Sequence, residues 1–276
     1  MYTTVEGLKK GLAARSGETV GFVPTMGALH AGHVSLVERA RAENGVVAVS
    51  VFVNPTQFND KEDLRCYPRT PEADAEVLRA AGADMVFMPS VEEVYPEPDR
   101  RVFDFGMLDK VMEGATRPGH FNGVAQVVSR LLGIVEPDRA YFGEKDFQQI
   151  AIVREMVRQL GIETRIVACP IVREVDGLAL SSRNRLLSVE HRAAAPRIYA
   201  AMKAAAADAG RKSVEEVKAR VVEEIESDGL LKVIYFELAD EETLRSVESW
   251  NTGGHVRGFV AVQAGNVRLI DNMRFI

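Results

Sequence analysis

The sequence has 276 residues, of which 46% are hydrophobic, so it can bury the core of one large domain or two smaller ones. Its formal net charge is −6 and it has no lysine- or arginine-rich run, which argues against a nucleic-acid partner but leaves open a basic pocket for a small anion. The N-terminus has no apolar signal core, and the longest apolar stretch, VVAVSVFV, is too short to span a membrane. We therefore expect a cytoplasmic protein with no membrane partner.

The two cysteines, Cys66 and Cys169, are far apart in the sequence and form no CxxC motif. Their number excludes a disulfide framework and a cysteine-rich zinc site. We expect both to be small, buried, apolar residues.

Short apolar runs alternate with segments of helical period through about residue 172. The runs predict strands at residues 19–24, 46–53, 83–89, 139–143 and 164–172. The segments between them predict helices at residues 33–44, 71–81, 122–135 and 147–160. Repeated strand–helix–strand units with apolar strands are typical of a Rossmann-like, doubly wound α/β fold with a parallel sheet.

The pattern changes after Val172. Asp176-Gly177 predicts a tight turn, and the alanine-rich stretch 190–209 predicts a helix. Ser213 and Glu216 have the spacing of a capping box that opens a further helix. Strand-like segments follow at residues 233–238, 255–263 and 267–270.

Helices followed by strands joined through a short turn indicate a separate, smaller α+β domain with an antiparallel sheet. We therefore predict two domains, a Rossmann-like domain of residues 1–172 and a C-terminal domain of residues 173–276.

The motif PTMGALHAGH, residues 24–33, follows the first predicted strand and opens the first helix of the sheet. Ligands of open α/β sheets bind at this edge, and a helix N-terminus there offers free N–H groups to an anion. His30 and His33 fit three interpretations: structural histidines, metal ligands or phosphate contacts. The metal interpretation is the weakest of the three because no third ligand of the HExxH type accompanies the pair. No dinucleotide fingerprint or P-loop motif is present, so any bound nucleotide needs other groups on its phosphates.

Two other polar stretches also follow predicted strands. Asn54 and Gln57 carry amides that suit hydroxyl and carboxylate groups, although Asn-Pro is also a plain turn. Lys145 is a natural point charge for a polyphosphate, and its neighbour Asp146 fits either the same site or a simple helix N-cap. Gln148 and Gln149 lie in the next helical turn and could face the same pocket.

Two loops complete the candidates. Residues 180–183, LSSR, have two hydroxyls and a guanidinium that suit a mobile phosphate clamp, but a plain loop would look similar. Residues 117–123, RPGHFNG, form another polar, glycine-bearing loop with weaker ligand potential.

Taken together and in order, these motifs resemble the pantothenate synthetase family. PTMGALHAGH is similar to that family's form of the HxGH signature, which class I aminoacyl-tRNA synthetases and nucleotidyltransferases share. The segments SVFVNPTQF, YPRT, EGATRPGHFNGV, FGEKDFQQ, DGLALSSRN and RLIDN also match the family in order and spacing. The resemblance covers essentially the whole chain.

The resemblance implies an ATP-dependent ligase that condenses (R)-pantoate with β-alanine to pantothenate. Such an enzyme releases AMP and diphosphate, works through a pantoyl-adenylate intermediate and uses Mg²⁺ bound with the ATP phosphates. It also implies a homodimer, a Rossmann-like domain that binds ATP and pantoate, and a C-terminal domain that acts as a lid.

The resemblance also implies roles for individual residues. His33 would be the proton donor, with His30 and Lys145 on the phosphates. Gln57 would bind pantoate and then β-alanine, and Gln149 and Asn54 would contact pantoate. The ATP-binding positions would be Met26, Gly27, Ala28, Leu29, His30, Ala31, Gly32, His33, Gly143, Glu144, Lys145, Asp146, Val172, Leu180, Ser181, Ser182 and Arg183.

One departure from the family pattern leaves the role of one residue undecided. The family often has a paired acidic stretch after YPRT, whereas this chain reads Pro-Glu-Ala-Asp. Asp74 is therefore either a Mg²⁺ contact or an ordinary helix residue, and we assign no metal ligand.

Three other functions are alternatives to the ligase. The first is a nucleotidyltransferase of the same superfamily, which would leave a nucleotide on its product. The second is a nucleotide sensor that binds ATP without turnover. The last is a metal hydrolase that uses His30 and His33.

Overall fold

The computed structural model describes residues 1–58, 64–65 and 67–276, and Cys66 lies outside these described residues. The chain divides into two compact units. The first comprises Met1–Gly106, Arg117–Glu144 and Gln149–Pro170. The second comprises Met107–Thr116, Lys145–Gln148 and Ile171–Ile276.

The first unit is built on a parallel sheet whose strands are β1 (Val20–Thr25), β2 (Val46–Val51), β3 (Met85–Phe87), β4 (Arg139–Gly143) and β5 (Arg165–Cys169). Their order across the sheet is β3-β2-β1-β4-β5. The chain therefore adds β2 and β3 on one side of β1 and then crosses over to add β4 and β5 on the other side. This is the strand order of Rossmann-like sheets, so the predicted fold class is confirmed. All five carboxyl ends meet at one edge, which is where such sheets bind ligands.

One helix precedes β1 and the others lie between or beside the strands. The helices are Val5–Ala13, Ala31–Glu43, Pro71–Ala80, Val91–Val94, His120–Val135 and Phe147–Leu160, the last of which begins in the second unit. Helix Ala31–Glu43 packs Leu36, Val37 and Ala40 into a core with sheet residues such as Val23 and Val47. The predicted apolar face of that helix is therefore the face that is buried.

The second unit contains an antiparallel sheet of β6 (Leu231–Asp240), β7 (Val256–Ala264) and β8 (Val267–Arg274), in that order. Its helices are Met112–Thr116, Val189–Ala194, Arg197–Ala206 and Val214–Glu226. The predicted capping box is present, since Glu216 accepts from the Ser213 N–H at 2.8 Å and Ser213 accepts from the Glu216 N–H at 3.2 Å. The predicted α+β character and antiparallel sheet are thus confirmed.

The strands predicted at 46–53 and 83–89 are shorter than expected, ending at Val51 and Phe87, and two other predicted elements are broken at prolines. The stretch 190–209 forms two helices rather than one, with Pro196 at the N-cap of the second. The strand expected at 164–172 ends at Cys169, directly before Pro170. Proline has no N–H to donate, which favours a break at these two positions, although Pro24 is accommodated near the end of β1.

The structure contains a helix that the sequence pattern did not predict, Val5–Ala13. Thr4 caps it, with its hydroxyl accepting from the Gly7 N–H at 3.2 Å. Cys169 is buried and not in a disulfide, and burial raises the pKa of its thiol to about 11. Within the described ranges, no helix has the length and apolar character needed to cross a membrane.

Candidate active site

The histidine pair of PTMGALHAGH lies at the N-terminus of helix Ala31–Glu43, at the carboxyl edge of the parallel sheet. His30 is the N-cap residue, and its Nδ1 accepts a hydrogen bond from the Gly32 N–H at 3.1 Å. The Nδ1 of His33 accepts from the His30 N–H at 3.3 Å, and the two ring centroids are 4.1 Å apart.

These contacts decide which tautomer the rings favour. A backbone N–H donates to each Nδ1, so in the neutral imidazoles the proton belongs on Nε2. Each ring then has an Nε2–H that can donate to an anionic oxygen, beside the positive end of a helix. The histidines therefore have a structural capping role, and this role orients them as donors.

Asn54 and Gln57 lie together in the first unit, on the turn Pro55–Gln57 that follows β2. The exposed fractions are 1% for Asn54 and 9% for Gln57. Asn54 Nδ2 donates to Gln57 Oε1 at 3.2 Å, and Gln57 Nε2 lies 2.9 Å from Sδ of Met26. The structure therefore brings Gln57 into contact with the histidine-bearing loop, as a shared site requires.

The loop 117–123, for which we predicted only weak ligand potential, contacts the backbone at Gln57. The Arg117 guanidinium lies 3.2 Å from His120 Nε2, and His120 Nδ1 lies 2.8 Å from the Gln57 carbonyl oxygen. Because arginine can only donate, Nε2 accepts and the Nδ1–H donates to the carbonyl. The same loop packs closely against the backbone before Gln57 at Gly123. A Cβ at position 123 would lie only 2.5 Å from the Thr56 carbonyl oxygen, so glycine allows this close approach.

Two more predicted positions, Gly143 and Glu144, lie at the carboxyl end of β4 in the first unit. Gln149, in the helix that follows, is half-buried in the same unit.

The second unit contains Lys145, on the short turn Glu144–Asp146. Asn272 Nδ2 donates to the Lys145 carbonyl oxygen at 3.0 Å, and Lys145 Nζ lies 3.6 Å from Asp146 Oδ1. Gln148 is buried and donates to the carbonyls of Leu108 and Val111 at 2.7 and 2.9 Å. The Gln148 amide therefore bonds backbone groups of its own unit. These contacts do not support the prediction that Gln148 faces a ligand pocket.

A buried polar network fixes the Lys145 segment to the sheet of the second unit. Arg173 makes a two-pronged ion pair with Asp271, at 2.6 and 2.9 Å. Arg257 donates to Asn272 Oδ1 at 2.7 Å and lies over the Phe147 ring at 4.3 Å. The motif RLIDN thus contributes Asp271 and Asn272, whose importance the sequence did not reveal by itself.

The predicted ATP positions 172 and 180–183 belong to a small hairpin of the second unit. The Leu180 N–H donates to the Val172 carbonyl at 3.0 Å, so these two residues lie side by side. Ser181 caps the turn Ser182–Leu186 by accepting from the Arg183 N–H at 3.3 Å. The hairpin turns at Gly177, whose φ of +93° confirms the predicted tight turn.

Among the described residues, no group of three or more histidine, cysteine, aspartate or glutamate side chains is placed to hold a metal ion. Mg²⁺ commonly keeps several waters and binds through substrate phosphates with one or two carboxylates. A metal ion of this kind does not require a group of three protein ligands.

Comparison with known proteins gives one consistent result. A sequence profile described as Pantoate-beta-alanine ligase matches residues 1–274. A pantothenate synthetase of Porphyromonas gingivalis is 57% identical over 277 residues, covering 100% of this chain and 99% of its own.

Solved structures agree with the sequence relatives. The crystal structure of pantothenate synthetase from Thermus thermophilus superposes with a TM-score of 0.93 at 49% identity, covering 100% of this chain and 99% of that one. A pantoate-beta-alanine ligase from Francisella tularensis, complexed with beta-gamma ATP and beta-alanine, has a TM-score of 0.83 at 34% identity, covering 99% and 96%. The chain described here therefore belongs to the pantoate-β-alanine ligase family.

Proposed function

We propose that the protein condenses (R)-pantoate with β-alanine to pantothenate, consumes ATP and releases AMP and diphosphate through a pantoyl-adenylate. Family membership supports the overall reaction, and the Francisella relative's complex with beta-gamma ATP and beta-alanine supports both ligands. The observation that carries the chemical step is the histidine pair, whose two Nδ1 atoms both accept backbone N–H groups.

The proposed intermediate answers a chemical need. A free carboxylate is a poor acyl donor because its oxide is a poor leaving group. When a pantoate carboxylate oxygen attacks the α-phosphorus of ATP, diphosphate leaves and a mixed anhydride forms. The amine of β-alanine then attacks the acyl carbon, and AMP leaves with the electron pair of the broken C–O bond. Both steps need orientation and stabilisation of phosphate charge rather than a protein nucleophile.

In the first unit, we assign His30 and His33 as Nε2–H donors to the phosphates, with His33 as the donor to the departing diphosphate. Their fixed Nδ1 contacts mean that little reorganisation is needed when charge develops. Gln57 is assigned to pantoate and then β-alanine, and Asn54 and Gln149 to pantoate. The backbone from Met26 to Gly32, together with Gly143 and Glu144, is assigned to ATP.

In the second unit, we assign Lys145 to the ATP phosphates, with Asp146 beside it. Val172, Leu180, Ser181, Ser182 and Arg183 are assigned to ATP as well. Mg²⁺ is proposed to enter bound to ATP, and the protein is proposed to be a homodimer. Light scattering of the purified protein tests the dimer, which a monomer mass would refute.

Labelled pantoate tests the adenylate. With ¹⁸O in both carboxylate oxygens, we expect one ¹⁸O in the phosphate of AMP and the other in the amide carbonyl of pantothenate, as read by mass spectrometry. Formation of ADP with labelled phosphate would show an acyl phosphate instead. A nucleotide retained on the product would favour the nucleotidyltransferase, and ATP binding without turnover would favour the sensor.

Replacing Gln57 by alanine tests the pantoate assignment. The variant loses an amide that can hydrogen-bond a charged ligand, so we expect KM for pantoate to rise about 10- to 100-fold while KM for ATP changes less than about threefold. Steady-state kinetics with each substrate varied in turn gives both values.

Gln126 provides a matched control, because it is another buried glutamine of the first unit whose amide donates to the carbonyls of Asp99 and Arg101. Gln126→Ala should leave both KM values unchanged. Equal losses of pantoate and ATP affinity in Gln57→Ala would remove Gln57 from the pantoate site.

A further inference from the structure

Asp74, whose sequence context fits either a Mg²⁺ contact or an ordinary helix residue, lies on helix Pro71–Ala80. It is buried, with 2% of its surface exposed. Its Oδ2 accepts from the Ala28 N–H at 3.0 Å, and its Oδ1 accepts from the Leu29 N–H at 2.9 Å. The Thr70 hydroxyl also donates to Oδ1, at 3.2 Å. Both oxygens of this carboxylate are therefore engaged inside the protein.

The loop that Asp74 contacts has an unusual backbone. Gly27 and Ala28 both have positive φ, +84° and +51°. This conformation costs a residue with a side chain on the order of 1 kcal/mol, so Ala28 needs compensating contacts. The N–H groups of Ala28 and Leu29 in this turn both donate to the Asp74 carboxylate, which supplies such contacts.

The turn leads directly into the histidine pair. Leu29 is followed by His30, the N-cap residue whose own N–H donates to His33 Nδ1. The direction of the chain at Ala28 and Leu29 thus sets the position of both rings. A Cβ on Gly27 would lie 2.9 Å from Asp74 Oδ2, so the carboxylate is packed tightly against the turn.

We propose that Asp74 is a positioning residue: its carboxylate holds the left-handed turn Gly27–Leu29 so that His30 and His33 keep the Nε2–H tautomer and orientation that phosphate binding needs. Asp74 acts through these rings and not as a metal ligand. The kinetic part of this inference rests on the proposed function, whereas the effect on the rings does not.

Asp74→Asn tests the proposal through kinetics. The amide replaces one acceptor oxygen with an NH₂ group that faces a backbone N–H, so we expect kcat to fall about 10- to 100-fold. Because Asp74 hydrogen-bonds the turn Gly27–Leu29 whereas Gln57 lies on a separate turn, Pro55–Gln57, KM for pantoate should stay within about twofold. The Mg²⁺ concentration that gives half-maximal activity should not change.

Asp138→Asn is the matched control. Asp138 also accepts a backbone N–H, that of Val20 at 2.7 Å, but at the opposite end of β1. We expect its kcat to stay within about twofold of the wild type. Thr70→Val is a milder second variant that removes only the hydroxyl bond to Asp74, and it should lower kcat in the same direction by a smaller factor.

A readout without substrate separates the proposal from the enzyme assay. In ¹⁵N spectra of the histidine rings, the wild-type protein should show His30 and His33 with unprotonated Nδ1, and Asp74→Asn should shift both signals. The signal of His191, in the second unit, should stay unchanged.

Two results would overturn the positioning role. One is histidine signals in Asp74→Asn that match the wild type. The other is a tenfold or greater rise in the half-maximal Mg²⁺ concentration, which would make Asp74 a metal ligand. If the wild-type protein shows no ligase activity, the proposed function fails, and the ring spectra still decide the role of Asp74.

Discussion

Replacing His33 by alanine is expected to lower kcat about 10²- to 10³-fold, the effect of removing one preorganised donor to a developing anion. KM for pantoate should change little, because His33 is assigned to the departing diphosphate. Single-turnover measurement of diphosphate release from ATP and pantoate gives the rate of the affected step directly.

The result must be separated from the loss of a helix cap, since His33 Nδ1 also accepts the His30 N–H. His33→Asn keeps a short side-chain acceptor for that N–H but lacks the Nε2–H, so it should be as slow as His33→Ala. An asparagine variant with near-wild-type turnover would assign His33 to capping alone.

His191 gives a control for the general effect of histidine removal near a helix start. It lies three residues after Ser188, the N-cap of helix Val189–Ala194, and its Nδ1 is 2.6 Å from the Ser188 hydroxyl oxygen. His191→Ala should lose some stability and keep full turnover.

Replacing Arg173 by alanine is expected to destabilise the protein by about 3 kcal/mol at neutral pH, because it leaves a buried carboxylate without its partner. The side chains of Arg173 and Asp271 are 18% and 5% exposed. Urea denaturation gives the free energy of unfolding. Arg192→Ala breaks a pair with side chains 37% and 40% exposed, and this control should lose less than about 1 kcal/mol.

The loss in Arg173→Ala should depend on pH. Burial raises the pKa of Asp271, and the Arg173 guanidinium opposes that rise. Without Arg173, the folded-state pKa of Asp271 lies further above its unfolded value. Such a group favours folding at low pH, and that contribution is lost as pH rises through the folded pKa. The destabilisation should therefore be smaller at pH 5 than at pH 8, and a loss that grows toward pH 5 would contradict this account.

The fold can be predicted from sequence because its signals are local. Parallel strands buried on both faces appear as continuous apolar runs, such as VVAVSV in β2, and the helices between them have a clear apolar period. The errors are local too. Pro170 and Pro196 break elements that apolar and alanine-rich patterns would otherwise extend, because neither proline can donate a backbone hydrogen bond.

The candidate site can be predicted only in part. The histidines and Gln57 stand in motifs that a family resemblance can identify. The partners that hold the histidine-bearing loop and the Lys145 segment are distant in sequence: Asp74 is 46 residues from Ala28, and Asn272 is 127 residues from Lys145. Nothing near Asp74 or Asn272 in the chain distinguishes a buried, hydrogen-bonded side chain from an exposed one. Only tertiary packing decides which backbone groups such side chains satisfy.

The central claim is that the protein makes pantothenate from three substrates. The most direct test incubates it with ATP, Mg²⁺ and pantoate, with and without β-alanine, and measures AMP and pantothenate by chromatography and mass spectrometry. We expect equal amounts of AMP and pantothenate in the complete mixture, and no sustained AMP release without β-alanine. Absence of pantothenate in a complete mixture, with ATP binding intact, would contradict the account.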